Sequence, residues 1–151
     1  MTPIQQMFLG VTGATKIYVD EVYEQVSRYS DGNTYVNSSG LDLSTEGGMV
    51  WTKSRSHNST NHIIHDSIRG ASYSLFSDNT NGSKSGWSGA NTFTSTGYSI
   101  AGGDATNNAS NYTYADWAFR KSEGFFDVVQ YSGTGSTLAV NHNLGCVPGM
   151  I

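Results

Sequence analysis

The amino-acid sequence predicts an all-β protein, folded as an antiparallel β-sandwich or jelly roll. Its 151 residues suffice for about one domain. The composition combines 18 Gly, 9 Tyr and 6 Phe with only 2 Pro; aromatic residues suit a pleated, half-buried surface, whereas Gly takes turn conformations. Short apolar stretches alternate with turn clusters at residues 31–33, 77–82, 101–104 and 132–135, a pattern typical of sandwiches and jelly rolls.

The predicted elements begin with an N-terminal arm, residues 1–24, which we expect to be extended or a short helix. Val19, Val22 and Val26 have helical spacing, but β-favouring residues surround them and the pattern alone does not decide. Strands are predicted at residues 25–29, 49–54, 63–68, 74–76, 92–93, 98–100, 114–120, 125–131 and 137–140. The predicted core consists of Trp51, Phe93, Tyr98, Trp117, Phe119, Phe126 and Val128, with both tryptophans largely buried on facing sheets.

One stretch of sequence occurs twice. Tyr29-Ser30-Asp31-Gly32-Asn33 leads on to Gly48-Met49-Val50, and Tyr131-Ser132-Gly133-Thr134-Gly135 leads on to Gly149-Met150-Ile151. The offset is 131 − 29 = 102 at the tyrosines and 150 − 49 = 101 at the methionines, so the register holds to within one residue. Internal similarity of this kind marks a repeated structural unit.

The repeat divides the chain into three parts: the arm (1–24), a sandwich domain (25–136) and the start of a further, truncated repeat (137–151). We expect residues 125–131 to pair with the strand at 114–120 across a short turn, because the two are close in sequence. We also expect the chain to be the N-terminal part of a longer modular protein.

The charge balance argues against a nucleic-acid partner. Only 13% of the residues are charged and the net charge is −4, so the basic surface that binds phosphates is missing. The first ten residues lack a basic secretory region, and no apolar run is long enough to span a bilayer. We therefore expect synthesis in a cytoplasm and no membrane insertion.

Histidine and cysteine offer two conceivable reactive sites. His57, His62 and His65 precede Asp66, and histidine is a common metal ligand. Alternation along a strand would nevertheless place His65 opposite Asp66. Cys146, the only cysteine, has His142 as its one local candidate base. We expect solvent-facing loop histidines and a small buried or half-buried thiol, with no metal and no cofactor.

Carboxylate pairs are equally unspecific. Glycoside cleavage needs two carboxyl groups facing one cleft, and Asp42 with Glu46 or Asp116 with Asp127 are conceivable pairs among 12 acidic residues. Nucleophile-elbow and phosphate-loop motifs do not occur. The sequence therefore predicts no catalytic residues, and the protein is not expected to be an enzyme.

Five blocks of sequence resemble a family of tail-fibre-like virion structural proteins of marine tailed phages, cyanophages included. They run from Thr45 to Arg55 (TEGGMVWTKSR), Asp66 to Ala71 (DSIRGA), Tyr114 to Lys121 (YADWAFRK), Gly124 to Val129 (GFFDVV) and His142 to Ile151 (HNLGCVPGMI), with the opening TPIQQM alongside. The resemblance implies a lectin-type, concanavalin-like sandwich. It supplies no catalytic residues.

The expected function is that of a phage virion structural protein, synthesised in the host cytoplasm and located in the tail. The arm would attach the fibre to a tail adaptor, nozzle or hub protein through Pro3, Ile4, Gln5, Gln6, Met7, Phe8 and Leu9, because these uncharged and mostly apolar residues need a partner. A homotrimer is expected, since closed rotational symmetry is usual for homo-oligomers.

The alternative is a carbohydrate-binding sandwich module, in a receptor-binding or head-decorating protein. Here Trp87, Tyr73 and Tyr112 would stack on a cell-surface glycan, because loops on a sandwich often carry binding residues.

Overall fold

The computed structural model describes residues 16–86 and 91–151, which form two antiparallel sheets. A 3₁₀ turn (Val19–Glu21) is the one helical element among the described residues. The strands are β1 (Tyr23–Tyr29), β2 (Tyr35–Asn37), β3 (Gly48–Ser54), β4 (Ile63–Asp66), β5 (Tyr73–Phe76), β6 (Lys84–Ser85), β7 (Thr92–Thr94), β8 (Gly97–Ile100) and β9 (Thr113–Arg120). The prediction of an all-β antiparallel fold is confirmed.

Strands from the start of the chain pair with strands from its end. The large sheet has the order β1-β9-β3-β4-β5-β6, and the small sheet has the order β2-β8-β7. The last strand, β9, therefore lies between β1 and β3, with Trp117 opposite Gln25 on one side and Trp51 on the other. The small sheet likewise pairs an early strand with a late one, because β2 pairs with β8.

The hydrophobic core fills the space between the two sheets. Val50 and Ala118 of the large sheet pack with Tyr98 and Ile100 of the small one. The loop between β2 and β3 adds two leucines, Leu41 and Leu43, which are fully buried. Side chains alternate between the two faces of a strand, which explains why Val50 of β3 lies in the core. The buried positions of β3 are Gly48, Val50, Thr52 and Ser54.

The opposite side of the large sheet, here called the outer face, carries four of the aromatic residues that were expected in the core. Trp51 and Trp117 are only half-buried, and they are paired neighbours with ring centroids 5.7 Å apart. The prediction that they lie on facing sheets is therefore wrong. Phe119 and Phe126 stack on this face at 5.1 Å, and of the seven predicted core residues only Tyr98 is fully buried.

The two strands predicted after β9 do not form. Residues 125–131 make only an isolated bridge between Ser122 and Phe126, and residues 137–140 have no strand pairing. The expected pairing of 125–131 with β9 is wrong because both edges of β9 are already occupied, by β1 and β3. The regular part of the sandwich thus ends at Arg120, before the predicted boundary at residue 136.

Most other predicted strands are present with small shifts. The strand expected at 63–68 ends at Asp66, because its carboxylate accepts the backbone N–H groups of Ile68 and Arg69 and closes a turn. The short strands β2 and β6 were not predicted. In the arm, the 3₁₀ turn agrees with the short-helix alternative, and residues 1–15 lie outside the described part of the chain.

Candidate functional site

A buried charged pair links the two neighbouring strands β1 and β9. The Arg28 Nε donates to Asp116 Oδ2 at 2.5 Å, and the two side chains are 4% and 0% exposed. The remaining guanidinium nitrogens donate to Asn108 Oδ1 at 2.6 Å and to the Asn107 carbonyl at 2.5 Å. Because each guanidinium nitrogen has an acceptor, the cost of burying the cation is offset within the fold.

Neighbouring side chains complete this polar cluster. The rings of Tyr35 and Tyr114 each lie 4.6 Å from the guanidinium carbon of Arg28, an attractive cation–π geometry. Asp116 also accepts the hydroxyls of Thr52 at 2.8 Å and Tyr98 at 3.4 Å. Burial, followed by the charge of Asp116, raises the pKa of Tyr98, so this phenol stays a neutral donor.

A surface cleft lies directly beside the cluster. It has a volume of about 310 Å³ and is lined by Tyr29, Ser30, Asp31, Asn33, Thr34, Tyr35, Val36 and Asn108. Asn108 belongs to both structures: its oxygen accepts from Arg28, and its amide nitrogen donates to the Asn33 carbonyl at 2.6 Å. The floor of the cleft is therefore held rigidly by the core.

The rim of the cleft combines an exposed aromatic ring with a carboxylate. Tyr29 is 62% exposed, and its hydroxyl donates to Asn111 Oδ1 at 2.7 Å. The Asp31 carboxylate accepts the side-chain and backbone N–H groups of Asn33, and these hydrogen bonds lower its pKa. The cleft is more polar than most small-ligand pockets, and its one exposed aromatic ring is the only large apolar surface that Tyr29 to Asn33 present to solvent.

The residues that the sequence suggested as sugar-binding do not lie close together. Tyr73 lies at the start of β5, near the Asp66 end of the large sheet, and its carbonyl lies 3.0 Å from His65 Nδ1. Tyr112 lies near the Ser54 end, where its ring is 5.1 Å from that of His57. Trp87 and the arm residues, Pro3 to Leu9, lie outside the described residues.

The histidines are engaged separately. His62 accepts the indole N–H of Trp51 at 3.1 Å, and His57 lies 3.0 Å from the Ser59 hydroxyl. His65 is buried, with Asn91 Nδ2 2.9 Å from its Nε2, so the expectation of solvent-facing histidines is wrong for this residue. Within residues 16–86 and 91–151, His, Cys, Asp and Glu form no group of three or more that could hold a metal ion.

The conceivable catalytic pairs are likewise dispersed. Asp116 is bound to Arg28, whereas Asp127 contacts Lys121 Nζ at 2.9 Å. Asp42 accepts N–H groups of its own turn, from Ser44 and Thr45. Cys146 is exposed, so the expectation of a buried or half-buried thiol is wrong. His142 Nδ1 accepts the backbone N–H of Leu144.

The cleft was not predicted from the sequence, although several of its residues had been singled out. Tyr29 to Asn33 was noted as the opening of the repeat, and a tyrosine followed by Asp and Asn in a turn was the available signal. The floor comes from Asn108, which is 75 residues away from its hydrogen-bond partner Asn33. Only the fold brings these two parts together.

The fold and the cleft define a two-sheet, all-β domain with a polar surface site. A family model matches residues 21–151, and the chain therefore belongs to that family, described as a domain of unknown function (DUF7483). No curated protein and no solved structure matches the chain. Among the described residues, no helix is long and apolar enough to cross a membrane.

Proposed function

We propose that this chain is a phage virion structural protein, the N-terminal part of a tail fibre that attaches the fibre to the tail and supports host recognition. One observation carries the proposal: a complete sandwich is followed by an exposed segment that repeats the sandwich's own opening. Val147 and Met150 in this segment are each 91% exposed. Similar β units arranged in series are an economical way to build an elongated particle.

The sequence resemblance adds support from a different direction. Two of the blocks that resemble tail-fibre-like proteins coincide with β3 and β9, two adjacent interior strands of the large sheet. A third block, from Asp66 to Ala71, covers the turn after β4 that the Asp66 carboxylate closes. The resemblance therefore involves residues that determine the fold.

The proposal assigns attachment to the arm. Its apolar residues would dock on another virion protein, a tail adaptor, nozzle or hub, in the virion tail. Residue 16 leads through the 3₁₀ turn into β1, which is an edge strand of the large sheet. Residues 16–22 thus lead into the sandwich at its edge strand, with Val22 buried.

Incorporation into particles tests the attachment role. Phage carrying Met7→Ser, Phe8→Ser and Leu9→Ser together should lose the protein from purified virions, measured by quantitative mass spectrometry. A matched control replaces Val36 and Ile68, both exposed on the sandwich, by Ser and should be incorporated normally. Wild-type copy numbers in particles of the arm variant would sink the proposal.

The second candidate, a carbohydrate-binding module, is favoured by the cleft at Tyr29. An exposed ring next to the ionised Asp31 and the fixed amide of Asn108 provides stacking and hydrogen bonding together. Glycan-array binding by the wild type should be lost in Tyr29→Ala and Asp31→Ala and kept in Tyr18→Ala, an exposed tyrosine elsewhere. Glycan binding that all three variants retain would place the sugar site outside this cleft.

A further inference from the structure

Two dipeptides of the chain, Asp31-Gly32 and Asn81-Gly82, place a reactive side chain directly before a glycine. In such a dipeptide the side-chain carbonyl carbon can be reached by the backbone nitrogen of the next residue. A glycine leaves that nitrogen unhindered and lets the backbone rotate towards the side chain. The surroundings of each dipeptide therefore determine whether it reacts in the folded protein.

The fold holds Asp31-Gly32 in a fixed turn. The Asp31 carboxylate accepts the backbone and side-chain N–H groups of Asn33, each at 2.9 Å, and these hydrogen bonds lower its pKa. The Gly32 N–H donates to Ser30 Oγ at 3.1 Å, and a Cβ at Gly32 would lie 3.0 Å from that of Ser110. Both reacting groups are thus engaged, and an ionised carboxylate is a poor electrophile.

Asn81-Gly82 has the opposite environment. It lies in the irregular connection between β5 and β6, and both residues are exposed. Apart from its chain neighbours, no described atom lies within 4 Å of a Cβ placed on Gly82. The backbone N–H of Asn81 donates to Asn79 Oδ1 at 2.9 Å. Within residues 16–86 and 91–151, neither the Asn81 side-chain amide nor the Gly82 N–H has a hydrogen-bond partner.

We propose that Asn81 is a site of spontaneous deamidation in the folded protein. The backbone nitrogen of Gly82 attacks the side-chain carbonyl carbon, Cγ, of Asn81, and a new C–N bond forms. The bond from Cγ to the side-chain nitrogen breaks, and that nitrogen leaves as ammonia with the proton of the Gly82 nitrogen. The product is a cyclic succinimide. This reaction is independent of the proposed function, because it needs only the folded sandwich.

Water opens the succinimide in two ways. Attack at the side-chain carbonyl leaves an aspartate at position 81, whereas attack at the backbone carbonyl leaves an isoaspartate, whose main chain runs through the side-chain carbons. Overall, one water is consumed and one ammonia is released, with no oxidant, reductant or enzyme. Either product changes the formal net charge from −4 to −4 − 1 = −5.

The isoaspartate product alters the connection to an edge strand. β6 begins at Lys84, and it pairs with β5 through Lys84 opposite Ser74 and Ser85 opposite Tyr73. An additional main-chain carbon at position 81 changes how the chain enters this short pairing. We expect β6 to separate from β5 in the isoaspartate form, while the core between the two sheets stays intact.

The test incubates the intact chain near neutral pH, folded and in urea. Peptide mass spectrometry and an isoaspartyl methyltransferase assay follow position 81. The folded chain should convert within about twofold of the unfolded rate, because the fold does not restrain Asn81-Gly82. Isomerisation at Asp31 should be at least about 10-fold slower in the folded chain than in the unfolded one, because its turn must open first.

Variants separate this route from other losses of the amide. Asn81→Gln should stop the conversion, because glutamine would have to close a larger ring. Gly82→Ala should slow it at least about 10-fold, because a Cβ restricts the approach of the nitrogen. Asn58→Gln, at another exposed asparagine, should leave conversion at position 81 unchanged. In the converted wild type, hydrogen exchange should rise at residues 84–85 and stay unchanged in β3.

The proposal is overturned if the folded chain keeps Asn81 intact while the unfolded chain converts, since the fold would then restrain the connection. It is also overturned if Gly82→Ala converts as fast as the wild type, because direct hydrolysis by water would then be the route. Unchanged exchange at residues 84–85 in the isoaspartate form would overturn the expected effect on β6.

Discussion

At the scale of single residues, the main feature is the Arg28 and Asp116 pair in the interior. It lies at the β1–β9 ladder between residues 88 positions apart in the sequence, with Asn108 and Thr52 as additional partners. A buried pair contributes little net stability, but breaking it leaves an uncompensated charge. The pair therefore favours the correct register of β1 against β9 more than it adds to the free energy of unfolding.

Arg28→Met should lower the free energy of unfolding by about 3–5 kcal/mol, because Asp116 then stays buried without its cation. Urea denaturation measures this change. The control is Arg120→Met, which removes an exposed hydrogen bond to the Glu21 carbonyl and a 3.9 Å contact with Glu46, itself 56% exposed. This variant should cost about 1 kcal/mol or less. Equal losses in the two variants would contradict the assigned role.

His65 should make the protein sensitive to acid. Burial lowers the pKa of this histidine from 6.5 to about 4, although hydrogen bonding to Tyr73 and the nearby Asp66 oppose the shift. Its Nδ1 faces the Tyr73 carbonyl and its Nε2 faces the Asn91 amide, so the neutral ring is the form that fits. Since the unfolded chain binds the proton more strongly, stability should fall as the pH drops from 6.5 to 4.

Thermal melts across that pH range measure the effect. His65→Gln should flatten the pH dependence between 6.5 and 4, whereas His142→Gln, at an exposed position, should leave it as in the wild type. A wild-type slope in His65→Gln would show that other groups cause the acid sensitivity.

At the scale of the elements, the two faces of the large sheet differ in what they contribute to stability. Leu43 is fully buried between the sheets, whereas Trp117 is half-buried on the outer face. Leu43→Ala should therefore cost about 2–5 kcal/mol and Trp117→Ala about 1–2 kcal/mol, in line with partial burial. A larger loss for Trp117→Ala in chemical denaturation would mean that the outer face is covered in solution.

The contrast between these faces shows how far the sequence could predict the fold. The strands around Val50 and Ala118 were predictable, because β-favouring residues and flanking turns define them locally. Which face of the large sheet forms the core was not predictable from the sequence. Both faces of β3 carry apolar side chains, and the larger ones, Met49 and Trp51, point outward. The size of a side chain is local information, whereas the position of the second sheet is not.

The cleft was unpredictable for the same reason. One wall, Tyr29 to Asn33, is a contiguous turn that is recognisable from the sequence alone. Its floor depends on Asn108, whose orientation is fixed by Arg28 and by the carbonyl of Ile100. The strands expected after β9 failed because pairing depends on free edges, and the edges of β9 are occupied by strands from the other end of the chain.

At the scale of the whole molecule, the fibre proposal predicts a homotrimer. Fibres are symmetric oligomers, and a threefold assembly would place three arms together at the attachment end. Analytical ultracentrifugation of the intact protein should give three times the mass of one chain. A monomer at concentrations well above those in a virion preparation would contradict this expectation.

The late position of β9 also determines when the protein can fold during its synthesis. While the ribosome is still translating the chain before Thr113, β1 and β3 have already emerged without the strand that will join them. Folding must wait until Arg120 has left the exit tunnel, and such non-local pairing is intrinsically slow. Until then the nascent chain exposes the unpaired edges of β1 and β3, and exposed edges of this kind are prone to aggregation.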